Sequence, residues 1–412
     1  MKDQFLANVG VQGTGAVVAA PDHNTPGGSY VYHWERDGAL TMAALQASKL
    51  VDDSQLSKYA SWVAARQAMP DPHGIDVRTE PKYEIPSGDV FSGAWCRPQN
   101  DGPGLRALAL LDFAEQKWAS KDEQASVYVR ASLWPSIWDS LSYLVGGGWK
   151  SSTCDLWEEV RSTDFFWNRV TAKKALERGA AFATRVGNSS AAAALGAVAD
   201  QIRPSVSAHF DGYIFEATNR KLDGAVIVGL NNGFDDPSPV FTPGSAMVAH
   251  TVAAYNEAFC AEYPINQADS KASLPGVLYG RYPGDQYAGG NPWILTSAAL
   301  AQLLYRVSAA AASGKGPDAD TLKVWSGALN AQGLSEQTAP AVFAAAGDAV
   351  LSRIAHHVRA ANIGFRLDEQ LDKKTGATAS AKSLTWSYAE VFNALLWRSH
   401  AMAAAGHTTA AS

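Results

Sequence analysis

Segments whose apolar residues recur at helical spacing follow one another along almost the whole chain, and this limits the fold more than any other feature. Loops rich in glycine, proline and aromatic residues separate them. Asp37 is expected to cap the first helix, and Pro135 to begin or kink another. The principal segments are residues 37–50, 104–119, 126–147, 165–187, 190–210, 243–260, 291–313, 321–329, 338–360 and 383–406.

Extended segments are few and short. GYIFEA (212–217) and GAVIVGL (224–230) are expected to form hairpins. No low-complexity linker divides the 412 residues, and no repeat of fixed period suggests a solenoid. The sequence therefore predicts one all-α domain over residues 1–412. A closed ring of helical hairpins would bury the alanine-rich faces and gather the loops at one end, where functional residues concentrate.

Charge and motif content exclude several classes of function. The formal net charge is -6, and no block rich in lysine or arginine is present, so a nucleic-acid partner is not expected. The longest apolar runs, such as LRALALLDF, are shorter than a membrane span, so no membrane association is expected. No CxxC or HExxH motif predicts a metal. Three cysteines leave at least one thiol unpaired within the chain, and the sequence allows all three to be free.

Tryptophan is unusually frequent, with thirteen residues, and several lie beside polar side chains. Aromatic faces next to hydrogen-bonding groups suit sugar rings, whose C–H faces stack while their hydroxyls are bonded in plane. The alternative is that these side chains only fill a helical core. The tryptophans in question are Trp34, Trp95, Trp157, Trp293 and Trp386.

Five loop segments combine aromatic and polar residues where helices are expected to begin or end. In one domain they are expected to share a cleft. The segments are YVYHWERDGA (30–39), GAWCRPQNDGPGLR (93–106), CDLWEEVRSTDFFW (154–167), GRYPGDQYAGGNPW (280–293) and RLDEQLDKKTG (366–376), the last followed by SLTWSY (383–388).

Hydrolysis of a glycosidic bond needs one carboxyl to protonate the leaving oxygen and a second to activate water or attack the sugar. In DLWEEV, Glu158 is a candidate for the acid, and Glu159 could bond a sugar hydroxyl. Trp157 before Glu158 and Glu159 after it are expected to raise the pKa of Glu158, as an acid requires. On a helix, adjacent side chains point about 100° apart, so the two glutamates would have different roles. Taken alone, such a pair is more often helix surface.

These motifs together resemble the glucoamylases over essentially the whole chain. The resemblance depends on DLWEEV with FFW soon after, WCRPQNDGPGLRA, GRYPGDQYAGGNPW, DEQLDKKTG and LTWSY. It implies an (α/α)6 barrel, a six-hairpin toroid with active-site loops at one end. It also implies an exo-acting enzyme that releases α-1,4-linked glucose, and more slowly α-1,6-linked glucose, from non-reducing ends of starch and maltooligosaccharides. The product would be β-glucose, by inversion.

The resemblance also assigns residues. Glu158 becomes the general acid, Glu369 the base that activates water, and Glu159 a substrate contact, while Arg36 and Asp37 would hold the terminal glucose. Arg281 and Asp285 have a structural alternative, as an ion pair in a turn. Neither a cofactor nor a metal is implied. The remaining expected substrate contacts are Tyr30, Trp34, Trp95, Arg97, Trp157, Arg281, Asp285, Trp293 and Trp386.

Some positions depart from the family pattern. Glu35 adds a negative charge near the first subsite, Cys96 replaces a glycine, and Gly284 replaces an acidic residue. They leave the preference between α-1,4 and α-1,6 bonds open. No separate starch-binding domain is expected, so binding to raw starch should be weak.

Two alternatives stay open: a trehalase or related α-glucosidase on the same barrel, and a non-catalytic carbohydrate-binding module. Retention of both Glu158 and Glu369 argues against the module. Family habit implies a secreted protein, although MKDQFLANVG lacks the apolar stretch of a signal peptide. A monomer is expected.

Overall fold

A computed structural model describes residues 1–406, and the last residues of the predicted domain, 407–412, lie outside the described part. The helices are α1 (Lys2–Ala7), α2 (Glu35–Ala47), α3 (Asp53–Gln67), α4 (Asp101–Ala119), α5 (Glu123–Tyr128), α6 (Trp134–Val145), α7 (Phe166–Arg185), α8 (Ser189–Ser207), α9 (Ala225–Gly233), α10 (Ala246–Glu262), α11 (Pro264–Lys271), α12 (Ile294–Ala312), α13 (Ala319–Leu329), α14 (Ala339–Ala360) and α15 (Thr385–Ala404).

Three two-stranded antiparallel pairs accompany the helices. They are β1 (His33–Trp34) with β2 (Lys82–Tyr83), β3 (Thr153–Cys154) with β4 (Arg161–Ser162), and β5 (Gln370–Leu371) with β6 (Thr378–Ala379). The second and third pairs are hairpins, whereas α2 and α3 lie between β1 and β2. Each pair has a strand within one of the five loop segments named above. Their backbone hydrogen bonds fix the conformation of loop segments that are not helical.

Six helices close into an inner ring. α2 packs on α4, α4 on α7, α7 on α9, α9 on α12, α12 on α15, and α15 returns to α2. Outer helices cover this ring, with α6 on α4, α8 on α7 and α14 on α12. The inner helices therefore bury several faces at once, and their apolar side chains form one continuous core from Phe5 to Ala401. The predicted all-α (α/α)6 barrel is confirmed.

α12 corrects one expectation. By length and composition alone it could cross a membrane, with a mean hydropathy of 1.3, so the expectation that every apolar run is too short is wrong. In the structure 83% of that window is buried, and every residue from Ile294 to Ser308 is covered. Its composition reflects its place in the inner ring, because a helix packed on all sides needs no polar face.

The segment predicted as a hairpin at 224–230 is helical and belongs to α9. The side chain of Asp223 accepts the N–H of Ala225 at 2.8 Å and starts the helix. All residues of α9 except Asn232 are buried. Uniform burial removes the polar alternation by which a helix is recognised, and the valines and isoleucine then resemble a strand.

Three further points of comparison concern the starts of helices. α3 was not predicted, although Asp52 and Gln55 form a complete capping box at its start. Trp34, rather than Asp37, occupies the N-cap of α2, and Asp37 lies in its first turn. Pro135 stands in the first turn of α6, as expected, after a π-helical turn at Val129–Leu133.

A disulfide joins Cys96 to Cys154, although the sequence alone also allowed both to be free thiols. It ties the loop that carries Trp95 to the hairpin that carries Glu158. We expect reduction, or the Cys96→Ser/Cys154→Ser double variant, to lower the free energy of unfolding by about 4 kcal/mol, because the bond closes a loop of 58 residues. Urea unfolding with and without reductant measures this. Cys260→Ser is the matched control, since Cys260 forms no disulfide within residues 1–406, and an equal loss in that variant would contradict the expectation.

Candidate active site

One cavity opens where the inner helices α2, α12 and α15 begin, and its volume is about 260 Å³. All five predicted loop segments contribute to its wall, so their expected convergence is observed. Of the residues selected from sequence, the wall contains Tyr30, Trp34, Arg36, Asp37, Trp95, Trp157, Glu158, Glu159, Arg281, Trp293, Glu369 and Trp386.

Glu158 lies in the turn between β3 and β4, not on a helix. Its φ is 67°, in the left-handed region that non-glycine residues seldom adopt. Such strain persists only where surrounding contacts hold it, and it is concentrated at functional sites. The carboxylate accepts N–H donors from Arg36 at 2.9 Å, from Trp95 at 2.7 Å and from Trp34 at 3.4 Å. Its side chain is 15% exposed, towards the cavity.

Arg36 anchors this carboxylate to the barrel. One terminal nitrogen donates to Glu158, and the other donates to Asp101 and to Gln99, each at 2.9 Å. The indole N–H of Trp167, on α7, also donates to Asp101 at 2.9 Å. The position of Glu158 is thus set by buried groups on α2, α4 and α7.

Lys82 lies behind the two tryptophans that bond Glu158. Its ammonium is 3.6 Å from the ring centroid of Trp95 and 4.3 Å from that of Trp34. The rings of Tyr32 and Phe91 close the other sides of this cation. Burial lowers the pKa of Lys82 to about 8, against the opposing effect of Glu158.

Glu159 points to a different part of the wall. It pairs with Arg281 at 2.7 Å and with Arg220 at 3.1 Å, and Tyr282 donates a hydrogen bond to it. The indole N–H of Trp157 donates to Asp223 at 2.7 Å. The expectation that Trp157 and Glu159 form the surroundings of the Glu158 carboxyl is therefore wrong. Trp34 and Trp95 bond that carboxyl instead. Two arginines compensate the charge of Glu159.

Glu369 immediately precedes β5 and is almost fully buried, at 1% exposure. Burial raises its pKa to about 7, although a hydrogen bond from Ser380 and the charge of Arg281 oppose the increase. Near Glu369, the hydroxyl oxygens of Tyr30 and Tyr287 lie 2.5 Å apart. The site thus holds two carboxyl groups in unlike environments, one bound by N–H donors and one buried with a hydroxyl partner.

Asp37 is a third carboxyl group on the cavity wall. Burial raises its pKa to about 7; the adjacent Arg36 lowers it, and the charge of Glu158 raises it further. Carboxyl groups placed this way accept hydrogen bonds from sugar hydroxyls, because each oxygen offers more than one lone pair.

Three expected roles need correction. The described residues of the cavity wall do not include Arg97, whose guanidinium bonds Glu80 at 2.6 Å and the carbonyl of Phe91 at 2.7 Å. They do not include Asp285, which clamps Arg281. Glu35 does not charge the first subsite, because it turns inward to Arg106 at 3.2 Å.

Asp285 acts on the site through Arg281. Its carboxylate accepts two hydrogen bonds from the Arg281 guanidinium, at 2.8 and 2.6 Å. We expect Asp285→Ala to lower kcat/KM on maltotriose by roughly 30-fold, since a lost charge-assisted contact costs about 2 kcal/mol. Asp285→Asn, which keeps an acceptor, should lose less. Steady-state kinetics measures both, with circular dichroism to confirm folding. An unchanged KM and kcat in the alanine variant would refute this role.

Several site residues escaped sequence reasoning. Tyr287 and Asp101 lie inside segments already quoted, so their motifs offered a signal. Ser380 and Lys82 lie outside those segments. Only the folded chain brings Ser380 to Glu369 and Lys82 to Trp95, and nothing in their immediate sequence indicates this.

The chain is similar in sequence and in fold to known proteins. The family model described as glycosyl hydrolases family 15 matches residues 4–396. The chain is 30% identical to a glucoamylase of Blastobotrys adeninivorans, over 96% of this chain and 69% of the relative, and 31% identical to glucoamylase-1 of Schizophyllum commune, over 97% and 73%. A family 15 glucoamylase structure from Hypocrea jecorina superposes with a TM-score of 0.85 at 26% identity, covering 100% of this chain and 74% of that one.

Proposed function

The chain belongs to glycosyl hydrolase family 15 and is an inverting, exo-acting glucoamylase that degrades starch, and we propose that Glu158 and Glu369 carry its reaction. The observation that supports this assignment best is the presence of both glutamates on the wall of one small cavity. Inversion needs two carboxyl groups roughly 6.5–9.5 Å apart, with a water between the base and the sugar.

Glu158 donates its proton to the glycosidic oxygen as the bond to the leaving sugar breaks. The N–H groups of Arg36, Trp34 and Trp95 already surround the carboxyl, so they stabilise the carboxylate that remains. Lys82 adds a positive charge behind those indoles. The environment is thus arranged for the charge that develops during the step.

Glu369 takes a proton from the attacking water on the opposite face of the sugar. Ser380 donates a hydrogen bond to the carboxylate and holds its orientation. The charge of Arg281 favours the ionised form that a base requires. Tyr30 and Tyr287 lie on the same cavity wall as Glu369, and their hydroxyls are hydrogen-bonded to each other.

The rest of the wall binds the terminal glucose. The rings of Trp157 and Trp386 are stacked 6.3 Å apart, with Trp293 beside them, and such faces suit the C–H surface of a sugar. Asp37 and Glu159 offer acceptors to hydroxyls. The cavity volume of about 260 Å³ suits a terminal sugar unit, which supports exo-action.

A substrate panel tests this function. Maltoheptaose should yield glucose as its sole early product, and maltotriose should be cleaved far faster than trehalose or isomaltose. Random shorter oligosaccharides would indicate endo-action. Preference for trehalose would favour the related trehalase, and binding without any cleavage would favour a carbohydrate-binding module.

The pKa of Glu369 predicts the acid limb of the pH profile. The base must be ionised, and burial raises its pKa from 4.5 to about 7, so kcat/KM should fall as the pH drops through that higher range. The hydrogen bond from Ser380 lowers this pKa, so Ser380→Ala should move the acid limb to higher pH. Profiles of kcat/KM on maltotriose measure both. An acid limb at the ordinary carboxyl value in both proteins would refute the assignment.

Several further properties belong to the same proposal. Residues 1–406 form one catalytic domain that acts as a monomer on starch and maltooligosaccharides and releases glucose. The continuous core around the ring supports a single domain. The Cys96–Cys154 disulfide supports secretion, because such bonds persist in oxidising compartments.

A further inference from the structure

A second polar cavity lies at the opposite end of the barrel. Its volume is about 440 Å³, and all six inner helices contribute to its wall. The active-site cavity lies where α2 and α15 begin, whereas this one is reached near the ends of the same helices, at Ala47 and Trp397. Within residues 1–406, the two cavities share no wall residue. We call the second one the lower cavity.

The charges around the lower cavity are paired among themselves. Arg178 bonds Asp112 at 2.7 Å and Glu115 at 2.8 Å, and Arg306 bonds Asp235 in two contacts of 2.7 Å. With Lys174, three cationic side chains face these three carboxylates. Burial raises the pKa of a fourth carboxyl, Glu390, to about 7, so this group is protonated and neutral below that pH. A rim so balanced favours an uncharged ligand.

Buried polar atoms at this cavity lack partners. Arg306 and Asn231 are each 5% exposed and line the wall. Among the described residues, the Nε of Arg306 and the Oδ1 of Asn231 have no hydrogen-bond partner. A buried donor and a buried acceptor that remain unpaired each cost free energy, so ligand hydroxyl groups that reach either atom are favoured.

Apolar surface accompanies these polar groups. The indoles of Trp167 and Trp397 line the cavity, and the guanidinium of Arg306 lies 3.9 Å from the centroid of the Trp397 ring. Amide side chains of Gln302 and Asn393 add donors and acceptors. Aromatic faces, amides and no net charge are the features that bind polyols.

We propose that the lower cavity is a second ligand site, which binds a small uncharged polyhydroxyl molecule of monosaccharide size. It is distinct from the catalytic pocket, but one hydrogen bond links the two walls, because the indole of Trp386 donates to Glu390 at 3.0 Å. Glu390 lines the lower cavity, and Trp386 lines the active site.

D-Glucose is the probe, and calorimetric titration with the intact protein is the test. Two glucose molecules should bind per chain, one in each cavity. Ala43→Phe, which fills the lower cavity from α2, should remove one of them. Arg306→Gln removes the unpartnered donor with less change in volume and should weaken that binding by at least about tenfold. Ala193→Phe, on the exposed surface of α8, is the matched control.

Crystals soaked with glucose give an independent answer, with ordered sugar expected between Arg306 and Asn231. Glucose in the active-site cavity alone, with only water in the lower cavity, would overturn the proposal. So would identical isotherms for the unmodified protein, Ala43→Phe and Arg306→Gln. Because maltotriose hydrolysis is measured separately on the same proteins, failure of this site would be distinguishable from failure of the proposed catalytic assignment.

Discussion

Glu158→Gln is expected to lower kcat on maltotriose by about 10³-fold, within the range for loss of a general acid. Glutamine cannot release a proton to the glycosidic oxygen. Its one carbonyl oxygen can still accept from Trp95, and Arg36 keeps its bonds to Asp101 and Gln99, so the strained turn should persist and KM should change by only a few fold. Steady-state kinetics with a calorimetric binding titration separates the two effects.

Glu159→Gln provides the control for this experiment. Glu159 pairs with Arg281 and Arg220 rather than with the acid, so its loss should act mainly on KM. Near-normal kcat in Glu158→Gln would remove Glu158 from the acid role. An equal collapse of kcat in both variants would show that the two glutamates act as one unit.

Glu369→Gln is expected to abolish turnover to a similar extent and, at the same time, to stabilise the fold at neutral pH. The folded pKa of about 7 lies above the unfolded value of 4.5, so ionisation is disfavoured in the folded state. The contribution of Glu369 to stability is therefore fully present below pH 4.5 and is lost as the pH rises through 7. Glutamine avoids this loss, which amounts to on the order of 3 kcal/mol.

Thermal or urea unfolding at acidic and at mildly alkaline pH tests the stability effect. The variant and the unmodified protein should unfold alike at acidic pH, and the variant should be more stable at alkaline pH. A variant that is less stable at alkaline pH would show that the carboxylate of Glu369 stabilises the fold. Retained turnover would remove Glu369 from the base role.

The barrel can be predicted from the sequence because the patterns that indicate it lie within short segments of the chain. Helical spacing recurs in almost every inner and outer helix, and the loops between them have a distinct composition. The failures occur where local patterns lose meaning. α9 is buried nearly all round, so its valines and isoleucine resemble a strand. α3 is signalled by its capping box rather than by apolar spacing.

The site follows the same division. Ordered motifs brought Glu158 and Glu369 forward, and the structure places both on one cavity. The direction in which a side chain points is not local: Arg97 turns to Glu80, and Asp285 turns to Arg281. The tryptophans that bond Glu158 come from β1 and from the Cys96 loop, and only the folded chain shows this.

The stereochemistry of the released glucose tests the central claim most directly. A proton NMR time course on maltotriose, recorded before mutarotation, shows which anomer forms first. Glu158 as acid and Glu369 as base acting through water predict β-glucose at the earliest times. Early α-glucose would mean retention through a covalent intermediate, and it would contradict the role assigned to Glu369.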